Sequence, residues 1–272
     1  MGTCGEGKKN GCARMIKIKE LKKTSSYFWM ILGVVIFIAL WHLISLRYSP
    51  MFVPSPGETI TALIDLFSVP ESITHVYSTF YRVLVAMAIL TITGIALGMI
   101  AGFNPWIEQI IKPVKDILIA IPPVALSLMA IFMFGTGIVQ TVAIAVALGF
   151  PLLYGATVTA VRSVNMDLLE MLEVFKVNKI ILVKDAYLPA VIFAIMPNIL
   201  LASGLTVRLM IMAEIIVGLD TGIGHAMSIA RVHMATEDIF AWMLVMVAAV
   251  LAIEGGLLYL VKKRLLAWQT QS

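Results

Sequence analysis

Residues 167–189 read DLLEMLEVFKVNKIILVKDAYLP and interrupt the apolar second half of the chain. The stretch is charged and amphipathic, whereas the runs on either side of it are long enough to cross a bilayer as helices. Such an interruption predicts a surface platform on a membrane-embedded body. Platforms of this kind commonly bind another protein.

The composition of the whole chain predicts a membrane protein. Of its 272 residues, 60% are hydrophobic and 13% are charged, and the mean hydropathy is +0.98. An ordinary soluble domain carries about 25% charged residues. Because lipid-embedded backbone must satisfy its polar groups internally, we expect an all-α membrane protein. The sequence predicts six transmembrane helices, at residues 27–46, 83–102, 117–134, 137–158, 188–218 and 239–261.

The distribution of Lys and Arg predicts the orientation of these helices. Of the 20 such residues, sixteen fall on the side that holds the N-terminus, and Arg47, Arg82 and Arg231 fall on the other. Cytoplasmic segments are enriched in Lys and Arg, so we expect both termini inside, N-in and C-in. The net charge of +4 then reflects topology, and no nucleic acid partner is expected because no basic groove or RNA-binding signature is evident.

The N-terminal tail contains Cys4 and Cys12 without the second pair that a zinc site needs, so no metal is expected there, and Met15 is an alternative start. The first apolar run lacks a cleavage pattern and is expected to remain as an anchor. We divide the chain into a cytoplasmic tail (1–24), a first transmembrane helix with an external interfacial segment (25–75), a core of five spans with a loop at 163–187 (76–264), and a C-terminal tail (265–272).

The external segment is expected to contain a short helix. Ser55, Pro56 and Glu58 supply an N-cap, a proline at the first helical position and a capping-box acid. The helix should lie along the outer membrane surface against the body. Its apolar face is predicted to consist of Ile60, Leu63, Ile64 and Phe67.

Glycines and prolines mark packing and bending within the spans. Three glycines at 94, 98 and 102 form a small-residue stripe that predicts close helix packing. Pro122 and Pro123 should bend the third span, and Pro151 and Pro197 are expected to interrupt the fourth and fifth. Several broken spans in one bundle indicate a pathway, to which we assign Pro122 and Pro123.

The platform is predicted to be two short helices. Asp167 caps the first, in which Leu168, Leu172 and Phe175 form a stripe opposite Glu170 and Glu173. Asn178 is expected to end that helix in the left-handed conformation. The second helix should run to Tyr187, before Pro189 opens the fifth span.

The chain resembles the permease subunits of ATP-binding-cassette importers, particularly the nitrate, sulfonate, taurine and bicarbonate group. The resemblance runs from about Phe52 to Trp268, in order and spacing. It is carried by the strings FVPSPGETITAL, STFYRVL, GIALGMIAGF, KPVKDILIAIPPVALSLMAIFMFGTG, AEIIVGLDTGIGHAMSIAR and KKRLLAW, together with the surface helix, turn and Leu-Pro that are typical of the family's EAA loop.

This resemblance implies a type I importer permease in a bacterial or archaeal cytoplasmic membrane, working by alternating access. It implies a homodimer whose two platforms, acting as coupling helices, dock on two copies of a separate ATPase, and a periplasmic or lipid-anchored binding protein that delivers the solute. The outer mouth would be formed by the glycine-rich LDTGIG loop, with Gly222 and Gly224.

Glu170, Glu173, Phe175 and Lys176 are the residues expected to contact the ATPase. The family's loop normally reads Glu-Ala-Ala, three residues and then Gly, whereas here Met171 and Leu172 follow Glu170 and Lys176 replaces the Gly. We therefore expect a partner groove of different shape, and a non-transporting subunit remains an alternative.

Arg208 and Glu214 are ionisable residues within the fifth span. They lie six residues apart, about 240° around a helix, so they should not pair with each other. Intramembrane charges usually face the bundle interior or a cavity. We assign both to the translocation pathway and hypothesise that Arg208 contacts an anionic substrate group, with a structural ion pair to another helix as the alternative.

No enzyme function is indicated. The chain contains no G-x-x-x-x-G-K-[ST], H-E-x-x-H or G-x-S-x-G motif, and its four histidines lack ligand spacing, so neither a catalytic residue nor a cofactor is predicted. The alternatives are a secondary transporter or channel without an ATPase, and a permease for a vitamin precursor or other organic solute. The substrate we favour is a small anion such as a sulfonate, nitrate or taurine.

Overall fold

A computed structural model of the chain describes residues 28–164 and 178–269, and within these ranges every regular element is helical. The residues predicted to contact an ATPase, Glu170, Glu173, Phe175 and Lys176, lie outside the described ranges. The helices are α1 (Phe28–Arg47), α2 (Pro56–Ser68), α3 (Pro70–Phe103), α4 (Pro105–Ala120), α5 (Pro123–Phe134), α6 (Ile138–Arg162), α7 (Leu188–Val217), α8 (Ile223–Val232) and α9 (Thr236–Gln269).

The predicted all-α membrane architecture is confirmed. Five helical stretches, in α1, α3, α6, α7 and α9, are long and apolar enough to cross a membrane, and α4 with α5 makes a sixth if the bent pair counts as one span. We call the side at which α3 begins and α7 ends the outer side, following the predicted orientation.

The third span differs from the prediction of one helix at 117–134. Two helices, α4 and α5, meet there at an angle of 109°. Ile121 and Pro122 are both extended between them, with ψ values of 125° and 134°. Each proline disfavours the helical conformation in the residue before it, so two successive prolines keep both Ile121 and Pro122 out of a helix.

The other two prolines do not interrupt their helices, contrary to the prediction. Pro151 lies inside the continuous α6 and Pro197 inside α7. A lone proline removes only one backbone hydrogen bond, which neighbouring helices and local adjustments re-satisfy in a membrane protein.

The start of the fifth span also differs from the prediction. Asn178 precedes a helical turn, and its side-chain Oδ1 accepts a hydrogen bond from the N–H of Ile180 at 3.0 Å. The helix that Asn178 was predicted to end lies outside the described residues. The turn Lys179–Ile181 and a π-helical stretch Leu182–Tyr187 run directly into α7. The second platform helix is therefore continuous with the span.

The predicted cap of α2 is confirmed. The N–H of Glu58 donates to Ser55 Oγ at 3.2 Å, and the N–H of Ser55 donates to Glu58 Oε2 at 2.7 Å. These hydrogen bonds from Ser55 hold the pKa of the Glu58 carboxyl below its usual value. The apolar stripe, however, is mostly turned away from the protein, with Ile60 and Ile64 54% and 62% exposed. This orientation suits a helix whose outer face meets lipid.

The core lies mainly in the outer half of the bundle. Buried apolar residues from α2, α3, α6, α7, α8 and α9 form one cluster there, including Val83, Met210 and Trp242. Helix α1 is almost wholly exposed and is attached near its outer end, where Trp41 Nε1 donates to the carbonyl of Pro54 at 3.0 Å and its ring stacks on Phe240.

The glycine stripe of α3 packs against α6, as predicted. A Cβ at Gly94, Gly98 or Gly102 would lie 2.8, 2.5 or 2.7 Å from the Cβ of Leu153, Thr157 or Val161, respectively. Real Cβ atoms do not approach this closely. The three glycines therefore set the separation of the two helices.

We expect Gly98→Ala to destabilise the protein by about 1–3 kcal/mol, because the added methyl overpacks the contact with Thr157. The measurement is thermal unfolding of the purified chain in lipid nanodiscs. Gly155→Ala is the matched control, since a Cβ there meets nothing within 4 Å. A Gly98→Ala melting temperature at or above that of Gly155→Ala would contradict the packing role.

Candidate functional site

A buried ion pair joins α3 to α7 near their outer ends. Arg82 Nη1 lies 2.7 Å from Glu214 Oε1, and the two side chains are 5% and 0% exposed. Thr79, one turn before Arg82, donates its hydroxyl to Glu214 Oε2 at 2.8 Å. The pairing corrects the prediction that Arg82 is an external positive charge. It also gives Glu214 a partner on another helix.

The same cluster holds the loop between α7 and α8. Arg82 Nη1 and Nη2 donate to the carbonyl and the hydroxyl of Thr221, at 2.7 and 2.8 Å. The N–H of Ile223 donates to Thr79 Oγ1 at 2.8 Å, and the N–H of Gly224 donates to Glu214 Oε2 at 3.0 Å. Glu214 thus accepts hydrogen bonds from a guanidinium, a hydroxyl and a backbone N–H, so both of its carboxylate oxygens have donors.

Gly222 and Gly224 close over the Glu214 carboxylate. A Cβ at Gly222 would lie 2.5 Å from Glu214 Oε2, and a Cβ at Gly224 would lie 2.5 Å from the Ile211 carbonyl oxygen. Gly222 also has φ +125°, a conformation that other residues rarely adopt. The family resemblance assigned both glycines to the outer mouth. In the structure they pack directly against the buried Glu214 side chain.

A cavity of about 610 Å³ lies beside this loop on the outer side. His75, His225 and His233 line it, and the rings of His75 and His225 are 5.5 Å apart. His75 Nδ1 accepts a hydrogen bond from the N–H of Gly222 at 3.2 Å. Among the described residues no group of His, Cys, Asp or Glu side chains has the geometry of a metal site.

Arg208 is not part of the ion-paired cluster. It is exposed on α7, two turns before Glu214, and it forms no ion pair within the described part of the chain. Leu205 and Leu209, on either side of Arg208 in sequence, line a cavity of about 410 Å³ together with Pro123 and Pro151. Pro122, the cap of α5, is exposed nearby in the chain.

Of the four residues predicted for the pathway, the structure places Pro123 and the neighbours of Arg208 around one cavity. Glu214 lies elsewhere, fully buried in its ion pair. Sequence reasoning missed that pair because Arg82 was counted only as an outer charge. The sequence did hold a signal for the pair. Both residues lie towards the outer ends of their helices, so they fall at a similar depth in the membrane.

Glu254 on α9 was also missed. It is half-buried in the sixth span, and its carboxylate lies against Gly204 of α7. The signal that indicates it is simple: it is the one acidic residue within the otherwise apolar stretch AAVLAIEGGLLYL at 248–260.

Comparison with known proteins identifies a transport family. Residues 94–265 match the family described as the binding-protein-dependent transport system inner membrane component. A Bacillus subtilis protein that carries the name of an aliphatic sulfonates transport permease is 26% identical over 249 residues, which cover 89% of each chain. The taurine transport system permease of Escherichia coli is 21% identical over 84% of each chain. The riboflavin transport system permease of Chloroflexus aurantiacus is 28% identical over 60% of each.

We expect Glu214→Gln to destabilise the protein by about 3–5 kcal/mol, because it leaves the Arg82 guanidinium buried without a counter-charge. The double variant Arg82→Gln with Glu214→Gln should lose less than the sum of the single variants. Thermal unfolding in nanodiscs measures both.

Glu108→Gln is the control for this prediction. Glu108 pairs with Arg162 at an exposed position, so its loss should change stability by about 0–1 kcal/mol. A Glu214→Gln variant with the same melting temperature as Glu108→Gln would contradict the structural role of the buried pair.

Proposed function

Because the chain belongs to the family of binding-protein-dependent transport system inner membrane components, we propose that it is the permease of an ATP-driven importer for a small anionic solute of the sulfonate or taurine type. The family membership makes it a membrane permease subunit and not itself an ATPase. The observation that supports an anionic solute is Arg208. This arginine lies within a membrane span, is exposed and has no ion-pair partner among the described residues.

The physical case for Arg208 rests on depth and exposure. Arg208 lies nine residues before the outer end of α7, which is about 14 Å along the helix. An arginine near the middle of a bilayer costs about 2.5–3.5 kcal/mol on insertion scales, so such residues face a cavity or the bundle interior. A guanidinium binds the oxygens of an oxyanion in a bidentate manner, which suits a sulfonate.

The cavity beside Arg208 supports the same role. Leu205 and Leu209 line it from α7, while Pro123 and Leu118 line it from the two sides of the bend between α4 and α5. The bend opens extended backbone at membrane depth, which is tolerated where protein or a water-filled cavity covers it. We assign this cavity to the translocation pathway.

The names of the aliphatic sulfonate and taurine permeases favour a solute with a sulfonate group, which is ionised at neutral pH. In taurine an ammonium group balances that charge, so the shared feature is the anionic group. The riboflavin relative favours a second candidate, an aromatic vitamin-like solute. Competition distinguishes the two: excess unlabelled riboflavin should leave taurine uptake unchanged if the anion assignment holds.

Energy is supplied by a separate ATPase that docks on the loop between α6 and α7. Docked on two copies of the chain in a homodimer, two ATPase subunits draw the loops together when ATP binds. The helical continuity from Lys179 through α7 to Val217 then carries that movement towards Arg208 and the outer loop. A binding protein on the outer side delivers the solute.

We expect Arg208→Gln to reduce taurine uptake about tenfold or more, because a charge-assisted hydrogen bond is lost. Uptake of labelled taurine is measured in cells that lack their own taurine and sulfonate importers and that express the chain with its ATPase and binding protein.

Arg47→Gln is the matched control, since Arg47 is likewise exposed but ends the peripheral α1. It should transport as the wild type does, and Arg208→Lys should keep part of the activity. Wild-type uptake by Arg208→Gln at equal membrane levels would exclude the substrate role.

The loop prediction is tested separately. We expect Phe175→Asp to abolish the stimulation of ATP hydrolysis by loaded binding protein, because a carboxylate replaces an apolar contact in the ATPase groove, while Phe175→Leu retains it. ATP hydrolysis and uptake are measured on the same reconstituted vesicles. Equal coupling in the two variants would contradict the assignment.

A further inference from the structure

Glu254 of α9 reaches α7 at Gly204, one turn before Arg208. A Cβ at Gly204 would collide with Glu254 Oε1 and would lie 3.4 Å from Val250 Cγ1. The carboxylate of α9 therefore occupies the space that the missing side chain of Gly204 leaves on α7. Glycine is required here so that the acidic side chain can reach the helix.

Arg208 lies one turn beyond Gly204 on the same face of α7. Residues four apart in a helix have Cβ atoms about 5–6 Å from each other. The Cα–Cβ bond is tilted towards the start of the helix, so a side chain at position 208 can lean over Gly204 towards the Glu254 carboxylate. The structure shows the two charges unpaired.

The membrane makes such a joining favourable. Arg208 and Glu254 are opposite charges within two packed membrane spans, and an isolated charge at such depth is costly. Neither forms an ion pair with another described residue. We infer that Glu254 is the counter-charge of Arg208, and that the two pair across the contact between α7 and α9 when no anion is bound.

Arg208 is placed to exchange this partner for a transported anion. With 3.6 residues per turn, it lies about 40° around α7 from Gly204 and about 60° from Leu205, which lines the cavity. Its guanidinium can turn to Glu254 on one side or to the cavity on the other. Glu254 is then a positioning residue that competes for Arg208 and promotes release of the anion. This release role rests on the proposed function, whereas the pairing itself does not.

The pairing is tested by a double-mutant cycle in melting temperature. Wild type, Arg208→Gln, Glu254→Gln and the double variant are purified in nanodiscs without added anion. Contacting charges couple, so we expect the double variant to melt about 2 °C or more above the value given by adding the two single shifts. Additive shifts would overturn the pairing.

A matched cycle controls for general effects of removing charge. Glu108 pairs with Arg162 at the inner ends of α4 and α6, away from Arg208, so Glu108→Gln should add to Arg208→Gln without coupling. Equal coupling in both cycles would also overturn the inference. A charge exchange, Arg208→Glu with Glu254→Arg, should melt above either of its single variants.

The release role has a separate readout. Methanesulfonate is added to the nanodisc samples, and the rise in melting temperature is compared among variants. Relieved of its competitor, Arg208 should bind the probe more tightly, so Glu254→Gln should reach half-maximal stabilisation at a concentration about threefold or more lower than the wild type. Equal half-maximal concentrations would refute the competition. Stabilisation that persists in Arg208→Gln would instead refute the proposed anion site and leave the pairing to the melting cycle.

Discussion

The ion pair between Arg82 and Glu214 is the interaction on which the outer half of the molecule depends. It lies in an apolar bundle where both side chains are buried, and an unpaired charge there would be strongly destabilising. Two helices and the loop after α7 must therefore hold one arrangement for the charges to be satisfied. The glycines at 222 and 224 are part of that arrangement, because any side chain at either position would meet Glu214 or the backbone beneath it.

The all-helical class, the bilayer spans and the capped α2 were predictable because each follows from a local rule. Apolar length indicates a span, and Ser55 with Glu58 forms its reciprocal hydrogen bonds within one turn. The stripe of glycines in α3 was equally readable, since small residues at i and i+4 leave one face free for another helix. These features need no knowledge of which elements are neighbours.

The candidate site was less predictable because its contacts are distant in sequence. Arg82 and Glu214 are 132 residues apart, and the sequence around either residue does not indicate which residue is its partner. The predictions for Pro151 and Pro197 were wrong for a related reason. Two adjacent prolines bend the chain by themselves, whereas the effect of Pro151 or Pro197 depends on the helices packed around it. Glu254 shows the same limit, since its contact with Gly204 becomes visible only when α9 is placed against α7.

Two arginines within the spans illustrate how burial separates structure from function. Arg82 uses both terminal nitrogens on Glu214 and Thr221, so its charge is held by the loop and can move only if the loop moves. Arg208 is exposed, Leu205 and Leu209 beside it line a cavity, and Glu254 of α9 contacts α7 one turn away, at Gly204. An arginine held by fixed partners stabilises one conformational state. An arginine that can exchange one partner for another can stabilise two different states. Since transport needs at least two states of its binding site, the second arrangement is the one that suits a pathway residue.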